Sequence, residues 1–169
     1  MIAKKLTILL ICTFIFTSFT ACNPSHYEES DQKILSASSL SSYIGKENVT
    51  IVDMQSAEDY AQGHVAGAVN ISKDDIVINV PVDNMLTSKN KIEKLMSANG
   101  IGNDTTVIAY DSNKMNAPRL FWTMLMYGNE NVKVVDGGVD AIKAAGIVLT
   151  TEAPAITPAS YTAGEKQTQ

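Results

Sequence analysis

Thr106-Val-Ile-Ala-Tyr-Asp111 is a short apolar run, rich in β-branched residues, that stops on an aspartate. Val49-Thr-Ile-Val-Asp53 and Val132-Lys-Val-Val-Asp136 repeat the pattern. Runs of this kind suit strands buried on both faces, the condition of a parallel sheet. Helical patterns lie between and after them, over Ser38 to Ile44, Ala57 to Gln62, Lys89 to Ala98, Ala117 to Met126 and Val139 to Ala145. Gly100, Gly128 and Gly146 each follow one, as helix terminators do. Strand and helix in regular alternation predict an α/β fold, an open parallel sheet with helices on both faces. Lys33-Ile-Leu-Ser36 and Val65-Ala-Gly-Ala-Val-Asn-Ile71 are further strand candidates.

Outward from this core the N-terminus has a different character. Lys4 and Lys5 precede an uncharged apolar run, Leu6 to Phe19, and then the small residues Thr20 and Ala21. This is the order of a secretory signal, and the run is short for a permanent span, which needs about 20 apolar residues. Phe19-Thr20-Ala21-Cys22 resembles the cleavage box of bacterial lipoproteins, in which the cysteine is acylated and becomes the new N-terminus. The expected organisation is a signal over 1–21, lipid attachment at Cys22, a polar tether over 22–32, one folded domain over 33–146 and an extended tail over 147–169. The tail carries Pro154 and Pro158 among Thr, Ala and Ser. Cys12 falls in the signal, so the mature chain keeps no free thiol. The expected location is extracytoplasmic, held to a membrane by the lipid on Cys22.

The whole chain has 13 basic and 18 acidic residues. Loss of Lys4 and Lys5 with the signal brings the net charge from −5 to about −7. With Arg119 as its one arginine, so acidic a chain is not expected to bind nucleic acid, since phosphate neutralisation needs clustered Lys and Arg.

In open parallel sheets the ligand site lies beyond the carboxyl ends of the strands, which singles out Asp53, Asp111 and Asp136. Carboxylates there can hold magnesium, or Asp111 can attack phosphorus as an aspartyl phosphatase does. Asn113 stands where such phosphatases carry a second aspartate. For Asp53 and Asp136 the plainer account is a turn or cap residue. No cofactor is expected.

Val52-Asp53-Met54-Gln55 and Glu58-Asp-Tyr60 lead into Gly63-His-Val-Ala-Gly-Ala-Val-Asn-Ile71. Further on come Val107-Ile-Ala-Tyr-Asp111, Ala117-Pro-Arg119, Trp122, Gly128 and Asp136-Gly-Gly138. In order and spacing this series resembles the rhodanese-like family, the sulfurtransferase fold, over roughly Lys33 to Gly146. The resemblance implies a single rhodanese-like domain, a five-stranded parallel sheet with helices on both faces. It also implies a reactive loop, here Asp111, Ser112, Asn113, Lys114, Met115 and Asn116, ahead of a helix that carries Arg119. In active members the first loop residue is a cysteine, because converging backbone N–H groups and a helix N-terminus stabilise a thiolate or persulfide. Asp111 stands at that position and takes up no sulfane sulfur. Its carboxylate is expected to accept the loop N–H groups, to cap the helix, and to repel thiosulfate or phosphate by like charge. Lys114 and Arg119 could draw a small anion to the loop.

Ala117-Pro-Arg119 and Trp122 look like the first, non-catalytic half of two-domain thiosulfate or mercaptopyruvate sulfurtransferases. The tail with Pro154, Pro158 and Tyr161 resembles their interdomain linker. The resemblance thus implies a module without autonomous sulfurtransferase activity that acts by binding a ligand or a partner, such as a cysteine-bearing rhodanese domain. The alternatives are a sulfurtransferase subunit whose cysteine comes from another domain or chain, and the Asp111-dependent phosphatase. His64 is expected to hydrogen-bond structurally, Gln55 replaces the arginine usual in its motif, and Trp122 and Met124 to Met126 are expected to pack on the sheet.

Overall fold

The computed structural model describes residues 33–165. The signal, Cys22 and the tether lie outside the described residues. The described residues form one unit by their contacts. Its elements are β1 (Ile34–Leu35), α1 (Ala37–Leu40), β2 (Val49–Asp53), α2 (Ala57–Gln62), β3 (His64–Val65), β4 (Val69–Asn70), α3 (Lys73–Ile76) and β5 (Val77–Ile78). They continue with β6 (Met85–Leu86), α4 (Lys89–Ala98), β7 (Thr106–Tyr110), α5 (Asn116–Met126), β8 (Val132–Val135), α6 (Gly138–Ala144) and β9 (Leu149–Thr150).

The main sheet has five strands in the order β1-β8-β7-β2-β4, and every pair in it is parallel. Because side chains alternate along a strand, each central strand feeds two cores. Val52, Val107 and Ala109 join Leu120 and Met124 of α5 and Ile92 and Met96 of α4 on one face. Ile51, Ile108 and Tyr110 join Leu40 of α1 and Val139 and Ile142 of α6 on the other. Strand order reverses between β2 and β7, so their carboxyl ends diverge into loops on either side of a crevice. Asp53 and Asp111 sit at the edges of that crevice.

Serine starts four of the helices. Ser36, Ser56 and Ser88 accept the N–H of the residue three positions on with their hydroxyls, at 3.1 to 3.4 Å. Ser72 instead donates its N–H and hydroxyl to Asp75 Oδ2, at 2.8 and 2.7 Å. Gly100, Gly128 and Gly146 end their helices at φ of +72°, +75° and +81°. In each case the next N–H returns to a carbonyl five residues back, a bond that needs the left-handed glycine between.

Local chemistry overrides the expected boundaries at three places. The first helix stops at Leu40, because the Ser41 and Ser42 hydroxyls donate to the Ser38 and Ser39 carbonyls and draw the chain into turns. Val65 to Ile71 is not one strand. Gly67 at φ +76° breaks it, leaving His64–Val65 to pair antiparallel with Leu149–Thr150, and Val69–Asn70 to join the main sheet. The tail is extended, yet it is strapped to the domain. Ala159 and Tyr161 N–H donate to Ser97, Thr162 N–H to Asn103, Ala163 N–H to Glu93 and Gly164 N–H to the Tyr127 carbonyl. Tyr161 and Ala163 are buried in the α4–α5 core.

Candidate functional site

The loop after β7 is organised around one carboxylate. Asp111 is 2% exposed, and its Oδ1 accepts the Lys114 N–H at 2.8 Å. Its Oδ2 accepts the N–H of Asn116 at 2.6 Å and of Ala117 at 2.9 Å. These last two donors belong to the first turn of α5, whose N-cap, Met115, contributes no side-chain bond. A serine stands just ahead of each capped helix described above. For α5 the capping is done from five and six residues upstream by an anion at the positive end of the helix dipole. Pro118 follows Ala117 and has no N–H, so the carboxylate takes both N–H groups that the first three positions of α5 offer.

The rest of the loop is braced to match. Asn113 Oδ1 accepts from Met115 at 2.9 Å and Asn116 at 3.2 Å, and Asn116 Nδ2 reaches the Met54 carbonyl at 3.1 Å. Lys114 adopts φ +61°, a left-handed conformation that costs a lysine about 1 kcal/mol or more and turns its N–H inward to the carboxylate. The Asp111 carbonyl accepts the Val139 N–H at 2.9 Å. A Cβ on Gly138 would lie 2.2 Å from that carbonyl oxygen, so only glycine allows the start of α6 to approach the loop. This is the physical content of Asp136-Gly-Gly138, 25 residues further along the chain than Asp111.

Four loop and helix N–H groups are therefore already accepted, at Lys114, Met115, Asn116 and Ala117. Three of the roughly four lone-pair sites of the Asp111 carboxylate are thus engaged by loop N–H groups, which opposes its use as a nucleophile toward phosphorus. Among the described residues no group of three or more His, Cys, Asp or Glu is arranged to hold a metal ion.

Asp53 makes the turn expected of it and does more. It is fully buried, and its Oδ1 accepts the Gln55 N–H at 2.8 Å. Its Oδ2 accepts the Gln55 side-chain amide at 3.0 Å and the Tyr110 hydroxyl at 2.6 Å. Tyr110 OH in turn accepts the Val65 N–H at 2.9 Å. Burial pushes the Asp53 carboxyl above its ordinary value, and these donors offset part of that shift. Burial beside the same carboxylate raises the Tyr110 phenol strongly, which keeps it a hydroxyl donor. Gln55 thus supplies neutral donors where an arginine would have supplied a charge. Asp136 is exposed.

His64 is buried between two carbonyls. Nδ1 lies 2.9 Å from Tyr60 O and Nε2 3.1 Å from Glu152 O, and the ring stacks on Tyr60 at 3.8 Å. It ties α2 to the strap. Of the two cations expected near the loop, only Lys114 lies beside it. Arg119 donates to the Asn84 carbonyl and stacks on Trp122, with its guanidinium carbon 4.6 Å from the ring centroid. Trp122 therefore faces outward at 37% exposure instead of packing on the sheet, as Met124 and Met126 do.

Beside the loop opens a cleft of about 420 Å³. Ile34, Pro118, Phe121 and Val134 form its apolar walls, with Lys114 and Asp136 among the charged residues that line it. Its position follows from topology, since β1 is an edge strand and Ile34 is left 64% exposed. Ile34, Phe121 and Val134 carried no signal in the sequence, because apolar residues on a strand and a helix read as core until the neighbouring cover is known to be missing.

Residues 36–145 match the model of the rhodanese-like domain. A thiosulfate sulfurtransferase of Corynebacterium glutamicum is 34% identical over 116 residues, which cover 65% of this chain and 37% of that protein. The sulfur carrier protein TtuD of Thermus thermophilus is 36% identical over 103 residues, 60% of this chain and 36% of that protein. In three dimensions the chain is similar to the 3-mercaptopyruvate sulfurtransferase SseA of Escherichia coli. The TM-score is 0.69 at 23% identity, with 79% of this chain and 55% of that one covered. The matched region spans well under half the length of these sequence relatives.

Proposed function

The chain belongs to the rhodanese-like domain family, and from that premise we propose that it is a membrane-anchored, extracytoplasmic rhodanese-like module without sulfurtransferase activity of its own, acting by binding a partner or ligand. The observation that carries this reading is the Asp111 carboxylate and its three N–H donors. Sulfur transfer in this fold needs a nucleophile that can accept a sulfur atom and a cradle of N–H groups free to stabilise the resulting anion. Here a carboxylate, which cannot become a persulfide, fills the cradle. An incoming thiosulfate would meet a like charge and donors already taken.

The share of the relatives that is matched favours a second reading, in which the chain is one part of a sulfurtransferase whose cysteine lies in another domain or chain. Thiocyanate formation from thiosulfate and cyanide separates the readings. The mature chain alone should be inactive, and sustained turnover by it would refute the proposal. A stimulated rate when a separate cysteine-bearing rhodanese domain is mixed with it would establish the second reading, and an unchanged rate would leave the first.

A further inference from the structure

The β5–β6 hairpin carries apolar side chains on the outside of the molecule. Val77 and Leu86 face the core, while their neighbours Ile78 and Met85 pair on the outward side at 38% and 37% exposure. Beyond them Val80 and Val82 flank Pro81 at the apex, at 79% and 62% exposure. The apex is a built turn, since Asn79 Oδ1 accepts the Asn84 N–H across its neck at 2.9 Å. Arg119 donates to the Asn84 carbonyl and lies over Trp122, which brings that ring beside the hairpin.

We propose that this hairpin tip, with Trp122 beside it, docks into the interfacial layer of the membrane that anchors the protein. The proposal rests on the lipid at Cys22. Eleven residues run from Cys22 to Gln32, a reach of at most about 40 Å. The membrane is thereby the one surface kept permanently near the domain, and weak insertion suffices at such an effective concentration. The chemistry of the patch fits that occupant. Aliphatic side chains at a convex apex can enter between headgroups, and a tryptophan and an arginine beside them are the side chains that favour the interface. The exposed apolar surface is on the order of 400 Å², about half of what each partner gives to a standard protein interface. Asp83, exposed at the apex, and the acidic mature chain together favour zwitterionic over anionic lipid.

Trp122 is the chain's single tryptophan and reports on its own surroundings. The acylated full-length product is reconstituted in phosphatidylcholine vesicles, with or without bromine on the acyl chains, and checked by flotation. Bromolipid should quench about half of the emission, anionic lipid should weaken the effect, and V80S/V82S should lose most of it while still floating. A wild-type chain that floats without quenching overturns the docking. So does a blue shift that persists in detergent and grows with protein concentration, which would assign the patch to a second copy of the chain. Failure to float refutes the anchor, and the docking with it.

Discussion

Replacing Asp111 by alanine removes one acceptor from three N–H groups at once. Ala117 is 1% exposed, so its N–H has no ready access to water and bears a desolvation cost of about 1–3 kcal/mol. The Lys114 N–H belongs to an exposed residue that water can reach, and the Asn116 N–H keeps Asn113 Oδ1 at 3.2 Å, so each costs nearer 0.5–1 kcal/mol, as for a lost cap. The expected loss is about 3 kcal/mol. In urea this lowers the unfolding midpoint by about 2 M for a slope near 1.5 kcal/mol/M. Asp111→Asn can keep its oxygen on Asn116 and Ala117 and turn its amide toward the Lys114 N–H, so it should lose about half as much. The alanine variant should also regain what the carboxylate excludes. Sulfate at ten times its Kd should stabilise that variant by about 1.4 kcal/mol and leave the wild type unchanged. If Asp111→Ala stays within 0.5 kcal/mol of wild type, or sulfate stabilises both proteins alike, the carboxylate is not the occupant of the cradle.

Asp111→Cys places a thiol against the same N–H groups and should form a persulfide with thiosulfate, seen as a 32 Da mass gain (one sulfur atom) lost on adding cyanide; a thiol that stays unmodified would show the cradle to be closed to sulfur. The Asp53 carboxyl is raised above 3.8 in the folded chain, so the native state binds more protons there than the unfolded one, and stability falls as pH rises from about 3.8 through the folded value. Asp53→Asn removes that slope, and its destabilisation should be greatest at the acid end of the range and shrink toward neutrality in urea titrations run across pH 4–7. Tyr161→Ala should cost about 3 kcal/mol by the cavity it leaves, whereas a free linker would give a change near zero.

The strands were legible where β-branched runs ended on an aspartate, because burial on both faces keeps β2, β7 and β8 predominantly apolar. The helix at Lys73–Ile76 was hidden, since one turn held by Ser72 and Asp75 is too short to show a period. The hairpin was hidden for a different reason. Its turn is closed by the Asn79 side chain, and no paired glycine marks it. At the site, loop length and the aspartate at its head were visible in the chain, and so was the idea that the carboxylate takes up the loop N–H groups. The Asp53–Tyr110 bond was not visible, because it joins residues that become neighbours only in the β2–β7 register. Nor was the departure of Arg119 toward Asn84, which depends on where the hairpin lies.

The strap and the edge strand also bear on when the domain can close during synthesis. Ile34 pairs with Val134, His64 with Thr150, and Asn103 with Thr162. A chain made from its N-terminus can assemble β2, β4 and the early helices, but it has no β1 edge until β8 has emerged and no Tyr161 in the core until the strap follows. Closure is thus a late event, governed by loop-closing entropy over separations of up to about 100 residues. Until then the nascent chain stays open, with the α4–α5 core short of the tyrosine that completes it.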